Sequence, residues 1–230
     1  MLHKTRGIAL SYIRYRETSI IARVYTEAFG LQSYVVNNVR SAKSKTNKIA
    51  LFQPMTLLDM VVYYKDDRDL NRLSEIKTLH PLQSIPFDIA KSGIALFLTE
   101  MLTKSLKEES GNPMLFQFLL ESILLLEHLE TGYENFHLAF LAKLSAYLGF
   151  GAENAREFEQ QLREHSYPFL PNAETELALN TLLRRPVGTA VRLSRADRLN
   201  LLEALVAYYR IHVDAMGEIK SLAVLHEVMS

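Results

Sequence analysis

At 230 residues and 48% hydrophobic content, the chain is long enough for one large domain or two small ones, and apolar enough to pack cores rather than stay disordered. It contains no cysteine, which excludes disulfides, thiolate chemistry and cysteine-based zinc sites. Formal net charge is zero, which by itself argues against a strong nucleic-acid or membrane binder, yet residues 1–80 hold 13 Lys and Arg against 7 acids while residues 81–230 hold 13 against 19. The start, MLHKTRGIALSYIRYRE, has no apolar run of signal-peptide length, and the stretch MLFQFLLESILLLEHLE is broken by Gln117, Glu121 and Glu127, so a soluble cytoplasmic protein is expected.

Apolar residues in the first 80 positions recur at period two. Ile8, Leu10 and Tyr12, then Ile20, Ala22 and Val24, then Leu31, Ser33 and Val35 read as strands rich in β-branched and aromatic residues. Turn signals separate them: RYRETS around Arg16, AFGLQ with Gly30 free to take a positive φ, and KDDRD at 65–69. After Pro54, MTLLDMVVYYK is apolar on both faces, as a central strand would be, and LNRLSEIKTL supplies a fifth. Five strands in this length predict a small closed barrel, placed at residues 1–80.

Beyond HPLQSIP the period becomes helical, with Ile89, Ala90, Ile94, Phe97, Leu98, Met101 and Leu102 on one face, and residues 81–230 are predicted to be all-helical. Asn112-Pro113 is a cap followed by proline at the first helical position, with Gly132 closing that helix. Asn172 caps a helix that stops at Pro186. Ser194 with Asp197 forms a capping box for a helix expected to run to Gly217. Residues 151–171 are the least regular and predict a short helix followed by a proline-bounded loop.

The search for catalytic chemistry is negative. The seven histidines include no i, i+4 pair for a metal, Gly149 and Gly151 lack the glycine pattern of a phosphate-cradling turn, and no serine sits in a nucleophile motif. No cofactor or metal is expected, and no enzyme. The positive signal is charge. Arg6, Arg14, Arg16 and Arg23 lie on the first two strands beside Tyr12, Tyr15, Tyr25 and Tyr34, and NNVRSAKSKTNK adds further cations in a stretch without an acid from residue 28 to 58. A small barrel with cations for phosphates and rings for bases is a single-stranded nucleic-acid platform; the competing readings are half-buried tyrosines and a merely solvated charge run.

The residues also resemble a known family. KTRGIAL, YRETSIIARVYTEAFGLQSYVVNNVRSAKSK and LFQPMTLLDMVVYYKDDRDLNRLSEI are similar to the N-terminal half of the RecO family of DNA repair and recombination mediators, and YYRIHV and IKSLAVLHEVM to its closing helices. The resemblance implies an N-terminal five-stranded OB-fold barrel and a C-terminal helical domain. It also implies binding of single- and double-stranded DNA, annealing of complementary strands, and action with RecR in loading the recombinase onto ssDNA coated by the single-strand binding protein SSB, in the cytoplasm at the nucleoid. Its basic DNA-facing surface falls on Arg14, Arg16, Arg23, Arg40, Lys43, Lys45 and Lys48, and the cation beside its groove for the SSB C-terminal tail on Lys220. The four-cysteine zinc module of many members is lost here, with AENAREFEQQLREHSYPFLPNAE in its place. The alternative is a non-catalytic interaction scaffold whose basic barrel binds an acidic partner.

Overall fold

The structure, a computed structural model, describes residues 1–37, 39, 48–65, 70–106, 110–214 and 216–229. Five strands, β1 (Leu2–Tyr15), β2 (Ser19–Thr26), β3 (Gly30–Val36), β4 (Leu57–Tyr63) and β5 (Asn71–His80), come first. Seven helices follow: α1 (Ile89–Ser105), α2 (Pro113–His128), α3 (Phe136–Tyr147), α4 (Ala155–Glu164), α5 (Ala173–Arg184), α6 (Arg195–His212) and α7 (Ser221–Val228). The chain forms two compact units, one of residues 1–88 and 95–127, the other of 89–94 and 128–230. Both α2 and the later part of α1 therefore belong with the strands.

The strands close a barrel in the order β1-β2-β3-β5-β4, antiparallel except where β3 meets β5. This is the expected OB-fold architecture. β1 is longer than its alternation predicts: Leu2 to Ile8 pair with β4, and Gly7 to Tyr15 pair with β2. A bulge between Ala9 and Ser11 shifts the inward set from Gly7 and Ala9 to Tyr12. Gly7 is dictated by packing, since a Cβ there would lie 2.7 Å from Met60 Sδ and from Val24 Cγ1. Ala9, Ile20, Ala22, Val24, Tyr34, Val36, Leu58, Met60 and Val62 fill the interior. A 3₁₀ helix at Lys48–Phe52, not foreseen in the sequence, adds Phe52 to that core.

In the same unit, Asn112 Oδ1 accepts from the N–H of Leu115 at 3.0 Å, capping α2 as expected. The chain just before it runs against the β2–β3 turn, where a Cβ on Gly111 would stand 2.5 Å from the carbonyl oxygens of Glu27 and Ala28. α2 ends at His128, short of Gly132, whose φ of 77° serves the following loop instead. Near that end Glu127 accepts three successive backbone N–H groups, from Gln83, Ser84 and Ile85, at 2.6, 2.7 and 2.9 Å. The carboxylate thus fixes the segment that leaves the barrel.

The second unit is built on α3, buried along most of its length, with α5 and α6 packed on it and α4 against both. Tyr208 and Tyr209 of α6 are buried and donate their hydroxyls to the carbonyls of Phe150 and Leu141 at 2.6 and 2.9 Å. Asn154, Asn172 and Ser194 cap α4, α5 and α6 with their side chains. α6 stops at His212, before the Gly217 its sequence suggests. Among the described residues no cluster of His, Asp and Glu is arranged to hold a metal, and no helix is long and apolar enough to cross a membrane.

His137 on α3 is fully buried, and burial, with Arg198 and His226 nearby, lowers its pKa to about 3. The unfolded chain takes up this proton more readily than the folded one, so the stability is complete above the ordinary histidine pKa and is lost as pH falls from there toward 3. Urea unfolding followed by far-ultraviolet circular dichroism is expected to show a loss of about 2 kcal/mol between pH 7 and pH 5. His137→Gln, which cannot charge, is expected to flatten that dependence.

Candidate nucleic-acid interface

Strand register decides which cations share a surface. Ser11, Arg23 and Ser33 lie side by side across β1, β2 and β3 on the outer face, and the next outward row is Ile13, Ile21, Val35 and Arg72 across β1, β2, β3 and β5. Three strand spacings separate Ile13 from Arg72, or about 14 Å. Arg23 and Arg72 are exposed, and Ile13 is 63% exposed. Arg23 rises from two serines too short to shield it. The β1–β2 turn borders this face, where Arg16 takes a left-handed backbone (φ 52°) and its guanidinium sits 5.0 Å above the ring of half-buried Tyr15. Arg14, paired with Ile20 at the end of the inward row, is exposed, as is Lys48 at the start of the 3₁₀ helix. Arg40, Lys43 and Lys45 lie outside the described residues.

Four sequence candidates occupy other roles. Tyr34 and Tyr25 have no exposure, so neither is a stacking surface for bases: Tyr34 points into the barrel core, and burial drives its phenol far above the ordinary tyrosine range. Tyr25 points outward but lies under α2, its ring 6.4 Å from that of Phe116. Tyr12 is half-buried against the core, leaving Tyr15 as the better-placed ring. Arg6 is committed to structure. It donates Nε and Nη2 to the two carboxylate oxygens of Glu27 at 2.8 and 2.5 Å and packs 5.2 Å from the centre of the Phe116 ring. The hydrogen bond from Arg6 holds the Glu27 carboxyl below its ordinary range.

In the helical unit, Lys220 is exposed and occupies the N-cap position of α7. Just upstream, Arg210, Val213, Asp214, Met216, Gly217 and Glu218 line an open hollow of about 460 Å³. Its cation is Arg210, and two carboxylates accompany it.

The Recombination protein O N-terminal family model matches residues 1–82, and the Recombination protein O C-terminal model residues 86–223. The chain is 36% identical to the DNA repair protein RecO of Bacteroides fragilis, over 99% of both chains. It is also 36% identical to that of Phocaeicola vulgatus over the whole of both, and 35% identical to that of Flavobacterium psychrophilum over 99% of both. The chain belongs to the RecO family.

Membership brings a role in DNA repair and recombination, and it directs attention to what sequence reading missed on this RecO barrel. Arg72 was legible in principle, because it precedes inward Leu73 in an alternating strand; Ile13 was not, because the bulge before it moves it to the outer face. Arg6→Ala is expected to lower stability by about 1 kcal/mol, through loss of a bidentate pair and a ring contact. Arg23→Ala is expected to leave stability within about 0.5 kcal/mol of the parent. Paired urea titrations of the two variants check this contrast.

Proposed function

We propose that this RecO protein is a recombination mediator that holds DNA on the outer face of β2 and β3, anneals complementary single strands, and acts with RecR in placing the recombinase on SSB-coated ssDNA. DNA binding is assigned to the barrel, residues 1–80, and partner contacts to residues 81–230; no bond is made or broken by the protein. The observation that carries this reading is the pair of neighbouring outward rows bearing Arg23 and Arg72, with exposed Arg14 and Arg16 at the β1–β2 end, none of the four joined to an acid in a salt bridge among the described residues. By contrast, Lys4 and Lys77 on the β1–β4–β5 side share Asp59 at 3.8 and 3.2 Å. Unneutralised cations exchange their counterions for phosphates, a contact that ignores base identity. Tyr15, and Ile13 beside it, give bases an apolar surface, so two strands held in this way keep their pairing edges available.

For the SSB tail, Lys220 stands at the N-terminal end of α7, where the helix dipole adds to its charge and favours a carboxylate. Asp214 and Glu218 in the adjoining hollow oppose an acidic ligand there, which separates the cation from the hollow as the point of contact. The exposed Ile13, continuous with Ile21 and Val35, favours the scaffold reading, since a protein partner seeks an apolar anchor. Annealing of two complementary oligonucleotides above the spontaneous rate, suppressed by salt, separates the two.

Replacing Arg14, Arg16, Arg23 and Arg72 together by alanine is expected to reduce the slope of log K against log salt for single-stranded DNA by up to about 2.8 units. The parallel replacement of Arg40, Lys43, Lys45 and Lys48 should take up to about 3.6 units from the slope for duplex DNA. Anisotropy titrations at several salt concentrations measure both, and an unchanged slope rejects the corresponding assignment.

A further inference from the structure

The helical unit carries a charge pattern that its overall acidity hides. Residues 184–198 contain five arginines and one acid, whereas the rest of that unit carries six basic residues against twelve acidic ones. All five cations are arginine, the side chain whose planar fork matches phosphate oxygens. They lie on the last turn of α5, the connection to α6, and the first turn of α6.

The connection is held in shape. Thr189 donates its N–H and its hydroxyl to the carbonyl of Pro186 at 3.2 and 2.8 Å, with Gly188 at φ 92° making the turn. Farther along, Asn135 donates to the Val191 carbonyl at 3.0 Å and accepts from Arg198 Nε at 2.8 Å. Arg198 is thus consumed in positioning. The single acid, Asp197, is consumed as well: its carboxylate accepts from the Ser194 hydroxyl at 2.5 Å and from Asn172 at 3.0 Å. Arg184, Arg185, Arg192 and Arg195 are exposed. Arg184 reaches only the Glu153 carbonyl, at 3.3 Å, and the guanidinium groups of the other three have no ion pair, hydrogen bond or ring contact among the described residues.

We propose that Arg185, Arg192 and Arg195, with Arg184 beside them, form a second phosphate-binding surface for nucleic acid, carried by the helical unit. An acidic protein is the less favoured ligand, because no large apolar side chain is exposed between residues 184 and 198 to anchor one. Phosphates need none. This deepens the annealing function and rests on it: annealing brings two strands together, and a cation surface on each unit gives each strand a place to bind.

The test uses the full chain and a labelled oligothymidylate of about 12 nucleotides, short enough to fill one site. Stoichiometric titration at low salt is expected to give two oligonucleotides per chain for the parent and one for R185A/R192A/R195A. Annealing by that variant should fall about tenfold while the barrel still binds. Helical circular dichroism equal to that of the parent is expected, since none of the three side chains holds another residue. An arginine variant that binds as many oligonucleotides as the parent overturns the proposal. So does a polyglutamate peptide that binds the parent more tightly than the oligonucleotide and is lost in the variant, which would point to a protein partner. The Arg14, Arg16, Arg23 and Arg72 alanine variant reads the barrel separately: its failure to lose an equivalent counts against the barrel face and leaves the arginine result standing.

Discussion

The guanidinium of Arg6, gripped by the Glu27 carboxylate and lying against the ring of Phe116, divides the outside of the barrel into a covered part and an open part. A closed barrel of five strands points every second side chain outward, and those residues cannot all be polar without weakening the strands. Here Tyr25 is the outward apolar residue that needs cover, and α2 supplies it through Phe116. The cover reaches that place because Gly111 lets the chain pass against the carbonyls of the β2–β3 turn; any side chain there would push the segment away. What α2 leaves bare is the stretch bearing Arg23 and Arg72. The same rule of alternation that builds the core thus sets out the open cationic side.

Zero net charge and a DNA-directed role are compatible because charge acts locally once a ligand is near. At physiological ionic strength charges on exposed side chains are screened beyond about 8 Å, so a phosphate held by arginines responds chiefly to the charges close around it and little to the net charge of the chain. Neutrality of the whole chain removes the long-range steering that a basic protein enjoys, which costs association rate rather than the contact itself. It also keeps nonspecific binding to polyanions modest.

Much of the architecture is legible in the sequence because it rests on local rules. Period-two alternation marks the strands, and Asn112, Asn172 and Ser194 announce their helices through hydrogen bonds that involve only the next few residues. What escapes is decided by long-range pairing. Tyr34 and Tyr15 look alike in sequence, yet register sends one into the core and leaves the other at the rim. Arg6 looks like any basic strand residue until Glu27, distant in sequence, is brought opposite it. The bulge after Ala9 is a single unpaired residue, but it reassigns every later side chain of β1 to the other face.

The α5–α6 connection shows how a cation cluster becomes a surface rather than a solvated tether. Long basic side chains on a mobile loop lose much of their binding energy to ordering, so a backbone already fixed reduces that cost before any ligand arrives. Here the ordering is done by neutral groups and by one arginine: Asn135 bridges the Val191 carbonyl and Arg198, while the turn at Gly188 closes on Pro186. Spending Arg198 inward leaves its neighbours outward on a braced backbone. The acid that would otherwise neutralise them is turned to capping α6, where it also complements the positive end of that helix. Each of these devices stabilises the fold on its own account, and together they leave the guanidinium groups of Arg185, Arg192 and Arg195 with no partner among the described residues.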